Sequence, residues 1–218
     1  MEGLLLADLL FKAQQLCFHD KICFADLEIP TGKTTFVTGP SGAGKSTLLR
    51  LLNGVLSPTH GQLFYLGRNL EDFDTIELRK EVLLVSQAVF LFEGSIRDNF
   101  AAFCEHREKS LPSDEKIKKF LSICCLPFEP DATTNTMSGG EKQRLYLAIF
   151  LSFHPAVLML DEPTSALDSE TANRVMGNII SYCREEGITV IAVSHDKALT
   201  EKFSENILAL ERVENNYA

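Results

Sequence analysis

One stretch limits what this chain can fold into more than any other: Gly39-Pro40-Ser41-Gly42-Ala43-Gly44-Lys45-Ser46-Thr47. The β-branched, apolar run from Thr34 to Thr38 precedes it, and Leu48-Leu49-Arg50-Leu51-Leu52 follows. That order reads as a strand, a glycine-rich turn and a helix start, with a Gly, four residues, then Gly-Lys-Ser. Glycines allow positive φ and a close approach of backbone to a ligand. The free amides and dipole of the helix's first turn favour an anion. The stretch from Gly39 through Pro40, Ser41, Gly42, Ala43 and Gly44 to Thr47 is therefore predicted to cradle the phosphates of a nucleotide. Lys45 would reach the β- and γ-phosphates, and the Ser46 hydroxyl would be a Mg²⁺ ligand.

The surrounding pattern is that of an α/β protein. Phe11 to Phe18 and Ile22 to Ile29 read as two antiparallel strands joined by a turn at His19-Asp20-Lys21, and Pro30 to Lys33 as the turn that closes the pair. After the loop helix, which stops at Asn53-Gly54, come a short strand over Gln62–Tyr65, a polar helix over Glu71–Lys80 and a buried strand over Val82–Val85. From Ser95 to about Thr136 the chain turns helical, clearest from Asp114 to Leu121, with Pro112, Pro127 and Pro130 as breaks. A long helix from Ser138 through Phe150 is apolar on nearly every face, which predicts burial. Strands at Val157–Leu160, Ile188–Val193 and Ile207–Leu210 then alternate with helices at Ser169–Glu186 and Lys197–Phe203. Such alternation predicts a mostly parallel sheet covered by helices. We expect one domain over residues 1–218, with an N-terminal antiparallel β subdomain and a small helical insertion at roughly 95–140.

Composition narrows the function classes. The chain of 218 residues has 45% apolar residues and carries 21 basic against 30 acidic side chains, a net charge of −9. That balance fits a globular protein with a real core and does not favour nucleic acid as a partner. No apolar stretch is long enough to span a bilayer, and Gly3–Phe11 lacks the basic flank of a signal peptide. The six cysteines show no Cys-x-x-Cys spacing, so reduced, mostly buried thiols are expected, as in a cytosolic protein.

Four further sites carry chemistry. Val157 to Leu160 places Asp161 at the C-terminal end of a buried strand, where it can hold Mg²⁺ through water, and Glu162 is suited to polarise an attacking water. Gln87, just past the strand Val82–Val85, can bind Mg²⁺ or that water. His195, just past the strand ending at Val193, can contact a γ-phosphate. Ser138-Gly139-Gly140 at the start of the long helix forms a second candidate anion site, N-capping being the other role open to Ser138. One chain has only one nucleotide loop, so that second site calls for a phosphate held by a partner, most economically in a two-fold dimer.

In this order the residues resemble the ATP-binding subunit of an ABC transporter. Gly39–Thr47 matches Walker A and Gln87 the Q-loop. Ser138-Gly139-Gly140-Glu141, followed by Lys142-Gln143-Arg144, resembles the family signature, with Met137 where Leu is usual and Glu141 where Gln is usual. Leu160-Asp161-Glu162-Pro163 matches Walker B, Ser165-Ala166-Leu167-Asp168 the D-loop, and Ser194-His195-Asp196 the H-loop. The resemblance implies a P-loop NTPase in which two subunits sandwich ATP and Mg²⁺. Ser138, Gly139 and Gly140 of one chain, with Asp168 at the interface, would close on the nucleotide held by the other. Glu162 would be the general base, His195 would support the γ-phosphate, and Ser46, Gln87 and Asp161 would attend the metal. Phe18 is the candidate for the aromatic that stacks on adenine, a place in the core being its other possible role.

The resemblance further implies a transmembrane permease as partner, a second ATP-binding subunit (in the simplest case another copy of the chain), and a peripheral location on the cytoplasmic face of the inner membrane. The short insertion and the segment Leu91–Asn99 are similar to small stand-alone bacterial subunits, including those linked to metal-ion or iron export. A soluble ABC ATPase without a transport role, or a regulator docking on a membrane protein, is the alternative. A GTPase would need a base-reading Asn-Lys-x-Asp, which is absent.

Overall fold

A computed structural model describes residues 9–19 and 22–211. Most of the apolar run from Gly3 to Phe11, and the turn residues Asp20 and Lys21, lie outside the described residues.

The expected parallel sheet is present. It is built from β4 (Thr35–Thr38), β7 (Val82–Val85), β8 (Val157–Asp161), β9 (Thr189–Val193) and β10 (Asn206–Ala209), in the order β10-β4-β9-β8-β7, with every pair parallel. All five residues of β8 and of β9 are buried. Their continuous apolar runs are explained by the two faces they must cover, because successive side chains point to opposite sides of a sheet. Leu158 and Leu160 join one core, with Phe36, Val190 and Ala192. Val157 and Met159 join a second core, with Val37, Ile191 and Val193. The first core is closed by α3 (Ile96–His106), α4 (Asp114–Ile123), α5 (Gly139–Leu151) and α6 (Ser169–Glu185). The second is closed by α1 (Lys45–Leu52), which buries Leu48, Leu49, Leu51 and Leu52 against it, and by an antiparallel sheet.

That second sheet centres on β1 (Leu9–Phe18), which pairs with β2 (Ile22–Cys23), β3 (Leu27–Pro30) and β5 (His60–Tyr65); β6 (Arg68–Asn69) pairs with β5. The sequence reading had a single strand over Ile22–Ile29. The structure divides it into β2 and β3, and the reason lies across the sheet. β1 bulges between Gln14 and Cys17, with Gln15 at φ 49°. The Asp26 side chain accepts the Gln15 amide at 2.8 Å, and the Phe24 amide donates to the Leu16 carbonyl. Residues 24–26 follow the bulge rather than the ladder. Opposite the bulge stands Gly61, where a Cβ would lie 2.3 Å from the Gln15 carbonyl oxygen, so the close approach demands glycine.

One other boundary moves for a local reason. The helix expected over Glu71–Lys80 is a 3₁₀ turn at Leu70–Asp72 followed by α2 (Thr75–Glu81). Asp74 interrupts it by capping α2, accepting the amides of Ile76 and Glu77. In the helical insertion, the Arg97 guanidinium pairs with both Asp114 and Asp131, tying α3 to the start of α4 and to the loop beyond it. The final helix, α7 (Lys197–Phe203), has the predicted bounds.

The expectation of reduced cysteines throughout is corrected: Cys17 and Cys23 form a disulfide. Antiparallel pairing of β1 with β2 sets the two residues directly opposite each other, a juxtaposition that sequence spacing does not reveal. Cys104, Cys124 and Cys183 are buried free thiols, as expected, and burial pushes the Cys183 thiol up to about 12. Among the described residues, no helix is long and apolar enough to cross a membrane.

Candidate functional site

The C-terminal ends of β4, β7, β8 and β9 converge on one edge of the parallel sheet, and each delivers one of the predicted groups there. The glycine-rich loop leaves β4 through three left-handed turns, with Gly39 at φ 144°, Gly42 at 78° and Gly44 at 89°. At Gly44 a Cβ would lie 2.6 Å from the Ile22 side chain and 3.2 Å from Phe24, so β2 and its sequel wall this side of the loop. No side chain caps α1, in contrast to α3, α5 and α6, so its first-turn amides have no capping acceptor. Lys45 is buried, and its ammonium donates to the carbonyls of Gly39 at 2.9 Å and Pro40 at 3.1 Å. The loop thus folds around its own lysine, with uncapped amides and a cation facing the same place. That is a donor set for an anion of several charges.

The Ser46 hydroxyl donates to Asp161 Oδ1 at 3.0 Å, linking α1 to the end of β8. Burial raises the Asp161 carboxyl above the ordinary aspartate range, and the Ser46 bond only partly opposes this. A desolvated carboxylate beside a hydroxyl is an oxygen pair suited to a hard divalent cation such as Mg²⁺. Among the described residues, no three His, Cys, Asp or Glu side chains converge on a metal position.

One residue on, Glu162 adopts φ 52°, an uncommon conformation for a side chain of its size, and its amide donates to the Val193 carbonyl. This turn aims the carboxylate at the neighbouring strand ends. Gln87 Nε2 donates to Glu162 Oε2 at 3.1 Å, and His195 Nε2 lies 3.0 Å from Glu162 Oε1. Gln87, Glu162 and His195 are thus brought together, from three loops that are far apart in sequence. The Glu162 side chain keeps 23% exposure, which leaves it open to water.

The other predicted residues lie elsewhere. Ser138 N-caps α5 in a capping box: the Glu141 amide donates to its hydroxyl, and the Glu141 carboxylate accepts its backbone amide at 2.8 Å. That bond holds the Glu141 carboxyl below its ordinary range. At Gly140 a Cβ would meet Leu167 at 3.0 Å and the Ala166 carbonyl oxygen at 3.1 Å, so α5 begins pressed against the segment Ser165–Asp168. Asp168 caps α6 by accepting the Thr171 amide at 2.9 Å, which lowers its carboxyl. Among the described residues, no hydrogen bond joins Ser138, Gly139 or Gly140 to the loop 39–47. Phe18 is half-buried against the second core and stands in register with Ile22, the residue that touches Gly44. Residues in register on antiparallel strands share a face. Phe18 therefore lies on the face of the hairpin that meets the loop.

One residue that the sequence reading left as part of a motif proves central. Gln143, buried between Lys142 and Arg144 in the first turns of α5, donates to the Glu162 carbonyl at 3.3 Å and to Ser165 at 3.4 Å, and accepts the Ala166 amide at 3.2 Å. Between two charged residues, its burial carried no signal in the sequence.

With this geometry described, comparison with known proteins is informative. The family described as "ABC transporter" matches residues 24–165. The chain is 37% identical over 180 residues to "ABC transporter I family member 17" of Arabidopsis thaliana, covering 82% of this chain and 68% of that protein. It is 37% identical over 174 residues to "Probable iron export ATP-binding protein FetA" of Escherichia coli K12, covering 79% and 76% respectively. Among solved structures it resembles that of cbiO1 from Clostridium perfringens, part of the ABC transporter complex cbiONQ. The TM-score is 0.80 at 27% identity, over 94% of this chain and 85% of that one. Other curated relatives are named for import, and the chain spans from 51% to 76% of the length of the curated relatives it matches.

Proposed function

The chain belongs to the ABC transporter family, and from that premise we propose that it is the ATP-hydrolysing motor of a membrane transporter, one ATP-binding unit that works by closing on ATP against a second copy of itself. A single observation carries the reading. The phosphate loop, Asp161, Glu162, Gln87 and His195 form one cluster, whereas Ser138-Gly139-Gly140 forms a separate helix start packed on Ala166 and Leu167. A glycine-containing helix start that lies apart from the phosphate loop, its Ser138 amide held here by Glu141, is one that the nucleotide of a partner can complete.

In this mechanism the amides of Gly39 to Thr47 and the Lys45 ammonium hold the phosphates of ATP, and Phe18 stacks on the adenine. Ser46, Asp161 and Gln87 hold Mg²⁺, which supplies charge neutralisation on the phosphate oxygens. Glu162 takes a proton from water as the water oxygen attacks the γ-phosphorus and the bond to the leaving diphosphate breaks. Gln87 and His195, both bonded to Glu162 here, orient the carboxylate, and His195 also faces the γ-phosphate. Ser138 and Gly140 of the second subunit complete the cage, with Asp168 at the shared boundary, and loss of the γ-phosphate reopens it. Beyond Gln87 the chain exposes Val89 and Phe90, the latter 59% exposed. This apolar patch, next to a residue that senses the nucleotide, supports docking of a transmembrane permease and hence a peripheral position on the cytoplasmic face of the membrane. The acidic charge supports a protein partner rather than nucleic acid. For the cargo, export of iron or another metal ion draws support only from the likeness to FetA.

Glu162→Gln is the test. The variant is expected to bind ATP, to form a stable dimer in size-exclusion chromatography, and to hydrolyse ATP about 10²–10⁴ times more slowly. Unchanged turnover removes Glu162 as the base, and failure of the unmodified chain to bind ATP overturns the reading itself.

A further inference from the structure

We infer that the Cys17–Cys23 disulfide is a redox-controlled latch that holds Phe18 in place for the adenine, so that affinity for ATP depends on the oxidation state of this pair. The inference rests on the ATP-site reading above and deepens it.

The strand that carries Phe18 is held on its β5 side by Thr59, whose amide and hydroxyl both donate to the Cys17 carbonyl, and on its β2 side by a short ladder. Among the described residues, beyond the bulge at Gln15, β1 pairs with β2 at two positions, Cys17 with Cys23 and Phe18 with Ile22, and with β5 at His60. A two-pair ladder of this kind is not stable by itself. The disulfide joins the first of these pairs, next to the pair that matters for the nucleotide. Adjacent strand residues point to opposite faces, so the sulfurs lie on one face of the hairpin while Phe18 and Ile22 lie on the other. That other face meets Gly44, where Ile22 and Phe24 leave no room for a Cβ. The bond therefore fixes the register of Phe18 relative to the phosphate loop without itself occupying the nucleotide face. Cys17 and Cys23 are 3% and 9% exposed, so exchange at the sulfurs requires the short ladder to open, which couples reduction to movement of Phe18.

The chemistry balances with a low-molecular-weight disulfide as oxidant. Two thiols lose two electrons and two protons, one S–S bond forms in the protein, and the oxidant's S–S bond breaks to leave two thiols. A dithiol reductant reverses the exchange.

The test compares the full chain after treatment with such a disulfide and after reduction, titrating each form calorimetrically with ATP and with inorganic tripolyphosphate, which has phosphates but no base. Reduction is expected to weaken ATP binding by about five-fold or more, the low end of what one base stacked on an aromatic ring contributes, while tripolyphosphate affinity stays the same. The Cys17→Ala/Cys23→Ala variant should bind ATP like the reduced protein and no longer respond to oxidant. Cys125→Ser, at a partly exposed free thiol remote from the hairpin, should retain the full response. Equal ATP affinity in both forms overturns the inference. So does a proportional loss for both ligands, or a non-reducing peptide map of oxidised protein without a 17–23 linkage. If neither ligand binds in either form, the ATP-site reading falls, and the inference with it, in a pattern distinct from the others.

Discussion

Asp161, the proposed metal ligand, shows what a buried carboxylate costs the fold that carries it. Its carboxylate is buried at the end of β8 with one hydroxyl donor, and desolvation raises its pKa. A carboxyl whose pKa is higher in the folded than in the unfolded chain contributes stability only when protonated. That contribution is present at low pH and is lost as pH rises through the raised value. Asp161→Asn keeps an acceptor for Ser46 and removes the charge. In divalent-free buffer near pH 7.5 the variant should melt higher than the unmodified protein, by about 2–4 °C for each kcal/mol relieved. The gap should close as pH falls through the raised Asp161 value, while Mg²⁺-dependent hydrolysis is lost. A lower melting temperature at pH 7.5, read by scanning calorimetry, would contradict this account. The identity of Asp161 and Glu162 was legible in the chain because four apolar residues precede them. The left-handed turn at Glu162 was not, since it follows from the way β9 offers the Val193 carbonyl.

At the scale of elements, the starts of α3, α5 and α6 are closed by their own side chains and that of α1 is not. Ser95 and Ser138 build capping boxes with Asp98 and Glu141, and Asp168 caps α6, whereas α1 begins on a bare glycine. The segment after Gln87 is held by another device. Asn99, fully buried in α3, donates to the carbonyls of Phe92 at 3.0 Å and Ser95 at 2.9 Å and accepts the Phe92 amide at 2.8 Å. Asn99→Ala removes all three bonds in a dry setting, and we expect a loss of about 2–4 kcal/mol in urea unfolding. Faster hydrogen exchange at the Phe92 amide should accompany it. Wild-type exchange at Phe92 would mean that the loop is held by its aromatic contacts instead. The sequence marked Leu91–Asn99 only as a resemblance. Which of its polar residues faces inward depended on how α3 packs against α5.

At the scale of the whole molecule, the decisive feature is the separation of the Ser138 helix start from the phosphate loop. If the two meet only across a dimer, inactivating each half on different chains should be partly reversible. Ser138→Arg and Lys45→Ala homodimers should both be inactive. An equal mixture should recover about a quarter of normal turnover, because half of the dimers are mixed and each keeps one intact composite site. A mixture as inactive as its components, with both proteins folded and able to dimerise, would count against shared sites.

The chain by itself determined the parallel sheet, the glycine-rich loop and the places of Gln87, Asp161, Glu162 and His195. These depend on local rules: apolar runs of strand length, glycines where the backbone must turn left-handed, and polar residues at strand ends. It offered two roles for Ser138, a second anion site and an N-cap, and the structure shows the cap, since capping acts over three residues. Only the tertiary structure decided the rest. The bulge in β1, the division of the second strand into β2 and β3, and the disulfide between Cys17 and Cys23 all follow from cross-strand register, which is set by partners that are not adjacent in the chain. The union of Gln87, Glu162 and His195, and the role of Gln143 behind them, likewise required β7, β8, β9 and α5 to pack together, with Gln87 75 residues from Glu162. Local chemistry is written residue by residue, whereas register emerges only when the core that selects it has formed.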